Sequence, residues 1–383
     1  MSWQDKKLGD VAKVISGYAF KSKDFIGSGI PVIKITNIKH EYVSFEDTSF
    51  LPENFLSIDK KYHVSENDLL ISLTGSHISQ PNSVVGRVAR YNHKFTALLN
   101  QRAGKIMVSE KKANPKFLYY FLRQPKVMHD LALNAGGAAN QANISPSNIE
   151  NLIVKTPDLK TQERIASILS TYDDLIENNR RRIQLLEESA RLLYREWFVH
   201  FRFPRHEYVE IVDGLPQGWE KVKLGEKIVL NYGKALKADD RIEGEHPVFG
   251  SSGTVGSHNK ALAKGPGIIV GRKGNAGSTY WSYKDYYAID TVYYITLESS
   301  NFYLFNVLKN MQFVNSDAAV PGLNRDYAYS REYLVPSKNI FKLFNDIVSP
   351  IYEQIYKLQD YNEKLKQARD ILLPRLMNGE ITV

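Results

Sequence analysis

Cysteine is absent from all 383 residues. That excludes a disulfide framework and any thiolate metal site. Histidine numbers only nine, scattered and without an HExxH pair, which argues against a metal site built on imidazoles. No apolar run reaches the ~18 residues that a membrane-spanning helix needs. The opening Met1-Ser2-Trp3-Gln4-Asp5 lacks the apolar core of a signal peptide. These absences predict a soluble, cytoplasmic protein with no membrane partner. Phosphate and nucleotide signatures are missing too. Gly271-Arg272-Lys273-Gly274-Asn275-Ala276-Gly277 has the glycines but neither Gly-Lys-Ser/Thr nor the GxGxxG spacing, and there is no GxSxG elbow.

A tandem repeat is what the chain has in place of these motifs. Trp3, Leu8, Gly9, Gly17, Ala19, Lys21, Asp24, Pro31 and Val32 recur 216 positions later as Trp219, Leu224, Gly225, Gly233, Ala235, Lys237, Asp240, Pro247 and Val248. Each copy opens a segment of short β-rich runs punctuated by Gly, Asn and Ser. In the first copy these runs are Val11–Ile15, Pro31–Ile35, Asp68–Leu73 and Val84–Ala89; in the second they include Gly267–Val270 and Thr291–Thr296. Helices are expected at Lys116–Leu122 and, 186 residues on, at Phe302–Lys309, with Asn114 and Ser300 as caps.

Each globule gives way to a 4-3 apolar spacing. The first series is Ile165, Leu169, Tyr172, Ile176, Asn179, Ile183, Leu186, Ala190, Leu193 and Trp197. The second is Phe344, Val348, Ile351, Ile355, Leu358, Asn362, Leu365, Arg369, Leu372 and Leu376, each 179 residues after its counterpart. Such spacing is the seam of a coiled coil. Thr161 is the expected cap of the first helix and Pro204 its stop. About 37 residues at ~1.5 Å each span roughly 55 Å. Asn179 and Asn362 interrupt the two seams, and a lone polar seam residue often fixes register and partner. The predicted domains are therefore residues 1–157, a long helix in 158–204, a second globule in 205–340 and a second long helix in 341–383. The fold class is α+β: two mixed α/β globules in tandem, separated by two long helices with coiled-coil seams, so the chain has built-in two-fold character.

The net charge is +8. Residues 1–157 hold most of the excess, with 20 Lys/Arg against 13 Asp/Glu. This favours a polyanion partner, because neutralised phosphates release counterions. One catalytic motif has a partial match. Asn114-Pro115-Lys116-Phe117 is similar to the Asn-Pro-Pro-Phe/Tyr motif of amino-methyltransferases but lacks the second Pro, and the second copy has Ser300-Asn301-Phe302-Tyr303 there. Both read better as helix starts. Asp173-Asp174 and Asp239-Asp240 read as decoration of a helix face and a loop.

Several short motifs resemble one known family, the specificity (S) subunits of type I restriction-modification systems. Arg195-Glu196-Trp197-Phe198-Val199-His200-Phe201 resembles the end of the family's central helix. Leu373-Pro374-Arg375-Leu376-Met377-Asn378-Gly379-Glu380-Ile381 resembles its C-terminal tail. The openings Trp3-(x4)-Leu8-Gly9 and Pro216-Gln217-Gly218-Trp219-(x4)-Leu224-Gly225 are similar as well, as is the join at Pro157–Ile168. His200-Phe201-Arg202 is more basic than the family pattern. The resemblance implies that the two long helices pair as an antiparallel coiled coil, that the two globules are related by pseudo-two-fold symmetry, and that each globule is a target recognition domain reading one half of a split, asymmetric target on double-stranded DNA. It implies two modification (methyltransferase) subunits, which bind S-adenosylmethionine and methylate adenine N6, and restriction (translocase/endonuclease) subunits that cleave with ATP and Mg. It implies no cofactor, metal or catalytic residue in this chain. A degenerate methyltransferase and a coiled-coil scaffold that ignores DNA are the alternatives.

Base reading needs side chains with reach: Arg for guanine, Asn and Gln for adenine. In the first domain the candidates are Thr74, Ser76, His77, Ser79, Gln80, Arg87, Asn100, Gln101, Arg102, Asn140, Gln141 and Asn143, with Lys21, Lys23 and Lys34 on phosphates. In the second they are Ser251, Ser252, Arg272, Lys273, Asn275, Ser278, Asn324 and Arg325, with Lys237 on phosphate. Half-sites on one side of B-DNA would lie ~10 bp apart. Tyr280, Trp281, Tyr283, Tyr286 and Tyr287 suit strand packing better than base stacking. Leu185, Leu192 and Phe198 are open to two readings, partner contact or burial against the chain's own globules.

Overall fold

The computed structural model describes residues 3–76, 85–136, 142–311, 313 and 322–383. Seven α-helices occur among them: α1 Pro115–Leu122, α2 Pro125–Leu133, α3 Pro146–Glu150, α4 Leu159–Phe198, α5 Phe302–Asn310, α6 Arg325–Ser330 and α7 Lys338–Met377. The chain divides into two compact units. Unit 1 holds residues 1–177 and 363–383; unit 2 holds 178–362. Each unit thus contains one globule, half of α4 and half of α7.

In unit 1 a four-stranded antiparallel sheet runs in the order Ala12–Ser16, Ala103–Val108, Leu69–Ser72, Val88–Arg90. A second sheet runs Ser49–Leu51, Ile30–Ile33, Ala97–Leu99, His63–Val64, and the pair Ile30–Ile33 with Ala97–Leu99 is parallel. Gln4–Lys7 pairs with Ile153–Thr156 and closes the globule. Unit 2 repeats the plan. Its sheet order is Asn231–Tyr232, Val292–Ile295, Gly267–Gly271, Thr279–Ser282, and Glu220–Lys223 pairs with Glu332–Val335 as the closing ladder. The parallel contact recurs between His246–Gly250 and Tyr287–Ala288.

The repeated residues carry this shared scaffold. Leu8 and Leu224 are fully buried, as are Val32 and Val248. Gly17 and Gly233 sit where two chain segments nearly touch: a Cβ would lie 2.3 Å from the Leu99 carbonyl oxygen in one copy and 2.0 Å from that of Ile289 in the other. Only glycine fits such an approach. Gly233→Ala should therefore destabilise by about 1–3 kcal/mol, the usual cost of overpacking, while Gly27→Ala, with nothing within 4 Å of the added carbon, should not. Thermal unfolding of both variants checks this; equal melting temperatures would refute the close-contact account.

Helix starts differ in detail from the expectation. Asn114 does cap α1, accepting from the Phe117 N–H at 3.1 Å. α5 is capped by Asn301 rather than Ser300: Asn301 Oδ1 accepts from the Leu304 N–H at 2.8 Å, while the Ser300 hydroxyl accepts from the Ile268 N–H. Likewise Asp158, not Thr161, opens α4, because Asp158 Oδ1 accepts from the Thr161 N–H at 3.1 Å. α4 ends at Phe198, six residues before Pro204. α7 begins at Lys338, three residues before the expected boundary.

Within each unit the half-helices pair antiparallel. In unit 1, Ile165, Ala166 and Leu169 share a core with Leu373, Leu376 and Met377. In unit 2, Ala190, Tyr194, Trp197 and Phe198 share one with Phe344, Val348 and Ile355. Phe198 is thus a core residue, 5% exposed, whereas Leu185 and Leu192 stay exposed. The two seam asparagines, read from sequence as separate interruptions, meet: Asn179 Nδ2 donates to Asn362 Oδ1 at 2.9 Å.

Arg369, the charged member of the second seam, is fully buried in unit 1. Its guanidinium donates to Asp173 and, at 2.6 Å, to Glu41. Arg123 of the α1–α2 corner pairs with the same two carboxylates, at 2.9 Å to Glu41 and 3.3 Å to Asp173. The Tyr120 hydroxyl donates to Asp173 at 2.6 Å. Burial alone would lower the Arg369 pKa, but Glu41 and Asp173 outweigh it and hold it above the ordinary value. Burial and the Asp173 charge push the Tyr120 phenol up, which keeps it a donor. At the equivalent place in unit 2 the chemistry is neutral. Tyr352 replaces Asp173, Asn306 replaces Tyr120 and Ala190 stands where Arg369 would; the Tyr352 hydroxyl donates to Asn306 Oδ1 at 3.1 Å.

Candidate nucleic-acid interface

The polar segments singled out from sequence occupy equivalent places in the two scaffolds. In unit 1, residues 73–87 join the strands Leu69–Ser72 and Val88–Arg90; in unit 2, residues 272–278 join Gly267–Gly271 and Thr279–Ser282. Each connection is flanked by a segment that precedes a short helix: residues 134–145 before α3 and 311–324 before α6. The flank is bonded to the connection both times, through Thr74–Gly75 with Ala142–Asn143 and through a bridge from Lys273 to Gly322. A third turn joins them, Asn100–Arg102 in unit 1 and Ile289–Thr291 in unit 2. The Leu73 N–H donates to the Arg102 carbonyl at 2.9 Å, and the Lys273 N–H to that of Thr291 at 3.1 Å.

This gathers the base-reading candidates of unit 1 that lie among the described residues. The Arg87 N–H donates to Ser72 Oγ at 3.0 Å, which brings the returning chain back beside the strand that leads to Thr74 and Ser76. The Gln101 N–H donates to the Tyr18 carbonyl at 3.0 Å and the Asn100 N–H to that of Ile33. Gln101, Arg102 and Asn143 are exposed, and Ser76, Arg87 and Asn100 half-buried. Thr74 is buried, so it serves the ladder rather than the surface. Lys21 and Lys23 are exposed around the turn Ser22–Asp24. Lys34 is held in place: its Nζ donates to Ser49 Oγ at 2.7 Å and lies 4.3 Å from the Phe25 ring centre. His77, Ser79, Gln80, Asn140 and Gln141 lie outside the described residues.

In unit 2 the candidates separate into supports and exposed side chains. Arg272 donates twice to the Asp290 carbonyl, at 3.0 and 2.6 Å, and lies over Tyr232 and Tyr293. Arg325 lies over the Tyr232 ring at 5.0 Å. Asn324 caps α6 by accepting from the Asp326 and Tyr327 N–H groups. The Ser278 hydroxyl bonds to the Ser251 and Asn275 carbonyls, both at 2.7 Å, and the Asn275 amide reaches Ser252 Oγ at 3.4 Å. These bonds fasten the 272–278 turn onto the 250–253 hairpin, with Gly274 and Gly277 at positive φ supplying the tight bends. Lys237, Ser252, Lys273 and Asn275 remain exposed. Sequence reasoning missed Tyr18 and Tyr232, which are 40% and 49% exposed beside these turns. Their position next to the repeated Gly17 and Gly233 was the available signal.

Two members of the aromatic run are packed. Tyr286 is fully buried, and Trp281 stacks on Phe302 at 4.2 Å. Among the described residues no group of three His, Asp or Glu side chains converges to hold a metal, and no helix is long and apolar enough to cross a membrane.

Residues 1–188 and 216–326 match the family model of the type I restriction modification DNA specificity domain, and the chain belongs to that family. It is 24% identical to the type I restriction enzyme MjaIX specificity subunit of Methanocaldococcus jannaschii, over 100% of this chain and 94% of that protein. It is also 24% identical to the HindI specificity subunit of Haemophilus influenzae, with 99% of each chain covered. A solved structure of the type I restriction-modification S subunit from M. genitalium has the same fold: the TM-score is 0.58 at 18% identity, covering 98% of this chain and 96% of that one. The tandem α+β architecture with long helices is that of a DNA specificity subunit of a type I restriction-modification system.

Proposed function

We propose that each globule reads one half of a bipartite, asymmetric DNA target and that the chain directs partner subunits to it without catalysis of its own. One observation carries this reading. Two copies of one scaffold present differing polar connections at the same place, 73–87 against 272–278. Same scaffold with different loops is the arrangement expected when position is shared and readout is not. Base reading falls to the exposed side chains, Gln101, Arg102 and Asn143 in one domain and Ser252 and Asn275 in the other. Lys21, Lys23, Lys237 and Lys273 serve phosphates, and Arg272 and Arg325 brace the second reading surface. S-adenosylmethionine, ATP and Mg belong to two modification subunits and the restriction subunits, in the cytoplasm.

The test is selection of fragments from a random duplex pool by the chain co-purified with its modification partner. Two dissimilar half-sites at a fixed gap are expected. One continuous site, or none, would return the scaffold reading to first place. Binding that ignores salt would do the same, because phosphate contacts make affinity fall with ionic strength.

A further inference from the structure

Two largely buried polar contacts between the long helices join non-equivalent positions of the repeat, and this gives them a role beyond holding the fold. Asn179 faces Asn362, and Asp173 faces Arg369. The counterparts of Asn362 and Arg369, 179 residues earlier, are Ile183 and Ala190. Those of Asn179 and Asp173, 179 residues later, are Leu358 and Tyr352. The remaining seam positions are mostly apolar in both series, so by apolar pattern alone α4 pairs with a second α4 nearly as well as with α7. The polar positions break that degeneracy.

In the same register, two copies of α4 set Asn179 against Ile183 and Asp173 against Ala190. Asp173 then shares its site with Glu41 and only one guanidinium, that of Arg123. Two copies of α7 set Asn362 against Leu358 and Arg369 against Tyr352, which takes Asp173 from the buried guanidinium and leaves it the exposed Asp370 of its own helix. Only α4 with α7 satisfies both contacts. A buried amide without a partner is costly, and an unpaired buried charge more so.

We propose that Asn179–Asn362 and Asp173–Arg369 are a pairing code: α4 accepts α7 and rejects the α4 of a second copy of this chain. Such a code protects a chain made of two similar halves from assembling like with like.

The absence of cysteine gives a clean assay on the full chain. Residue 181 is midway between Asn179 and Ile183, so in an α4–α4 pair the two copies of Arg180 lie side by side; α4–α7 pairing does not bring them together. Arg180→Cys is refolded from denaturant and treated with a short bis-maleimide, and covalent dimer is measured on a denaturing gel. The reporter alone should give little dimer. Adding Asn179→Leu with Asn362→Ile should raise it at least about tenfold, equivalent to about 1.4 kcal/mol, with the melting temperature unchanged or higher. A residue that merely supported the fold would lower the melting temperature and leave the dimer level alone. Asp173→Asn with Arg369→Gln, which keeps Glu41 and Arg123 balanced, tests the second contact and decides the matter if the first variant fails to fold. Dimer at the reporter's own level in the folded variants overturns the proposal, as does heavy cross-linking of the reporter itself.

Discussion

Replacing Arg369 by methionine should destabilise unit 1 by about 3–5 kcal/mol, the cost of breaking a buried ion pair from one side. The side chain is 2% exposed, so solvent offers little relief to the carboxylates left behind. Glu41 and Asp173 would share one cation, Arg123, in place of two. For a unit of this size the loss corresponds to a fall in melting temperature on the order of 10 °C. Removing Asp173 as well, as Leu, should recover much of it, since deleting both partners of a buried pair is often nearly neutral. Thermal unfolding of the two single variants and the double variant measures the coupling. A single-variant loss below about 1 kcal/mol, the range of surface pairs, would show that the cluster is solvated and that its buried description is wrong.

The second large effect concerns the 272–278 turn. Asn275→Ala should cost about 1–3 kcal/mol of discrimination at one base pair of one half-site, the usual worth of a good amide-to-base contact. Lys273→Ala should instead weaken binding to all sequences alike and flatten the salt dependence by about one unit of slope. Both residues are exposed and lie in one turn, so the core should be untouched in either case; Asn275→Ala also removes the long bond to Ser252, while the Ser278 bonds still fasten the turn. Selected-pool sequencing and a salt titration with each variant distinguish the outcomes. If Asn275→Ala alters the half-site read by the first domain, or if the two variants behave alike, the assignment of reading to this turn fails.

The architecture was legible in the sequence where it is periodic. Ten seam positions at 4-3 spacing can only be an amphipathic helix, and their recurrence at a fixed offset identified the second helix with the first. The repeated Trp, Leu and Gly residues marked the scaffold because they bind it together: Leu8 and Leu224 fill equivalent cores, and Gly17 and Gly233 allow equivalent close contacts. Caps were misplaced by one to three residues at Ser300 and Thr161, because several adjacent side chains can cap and the backbone angle at each decides. Helix α2, opened by Pro125, was missed altogether. The ionic cluster was invisible for a different reason. Glu41 and Arg123 look like surface charges, and only the fold brings them to Asp173; Arg369 at a seam position was the lone hint. Among the candidate readers, composition could nominate Arg272 and Asn324 but could not foresee that a carbonyl and a helix end would occupy them.

The exchange of Tyr120 and Asp173 in one half for Asn306 and Tyr352 in the other bears on history. A duplicated gene begins with two identical halves, each carrying the same donor facing the same acceptor. Here donor and acceptor have traded sides, and a buried arginine accompanies one version but not the other. A change at either position alters what the facing group can bond, so the two positions are coupled. Residues that must change together also travel together. Recombination between relatives within a globule leaves such sets whole only if Glu41, Arg123, Asp173 and Arg369 come from one parent, even though 328 positions separate the first from the last.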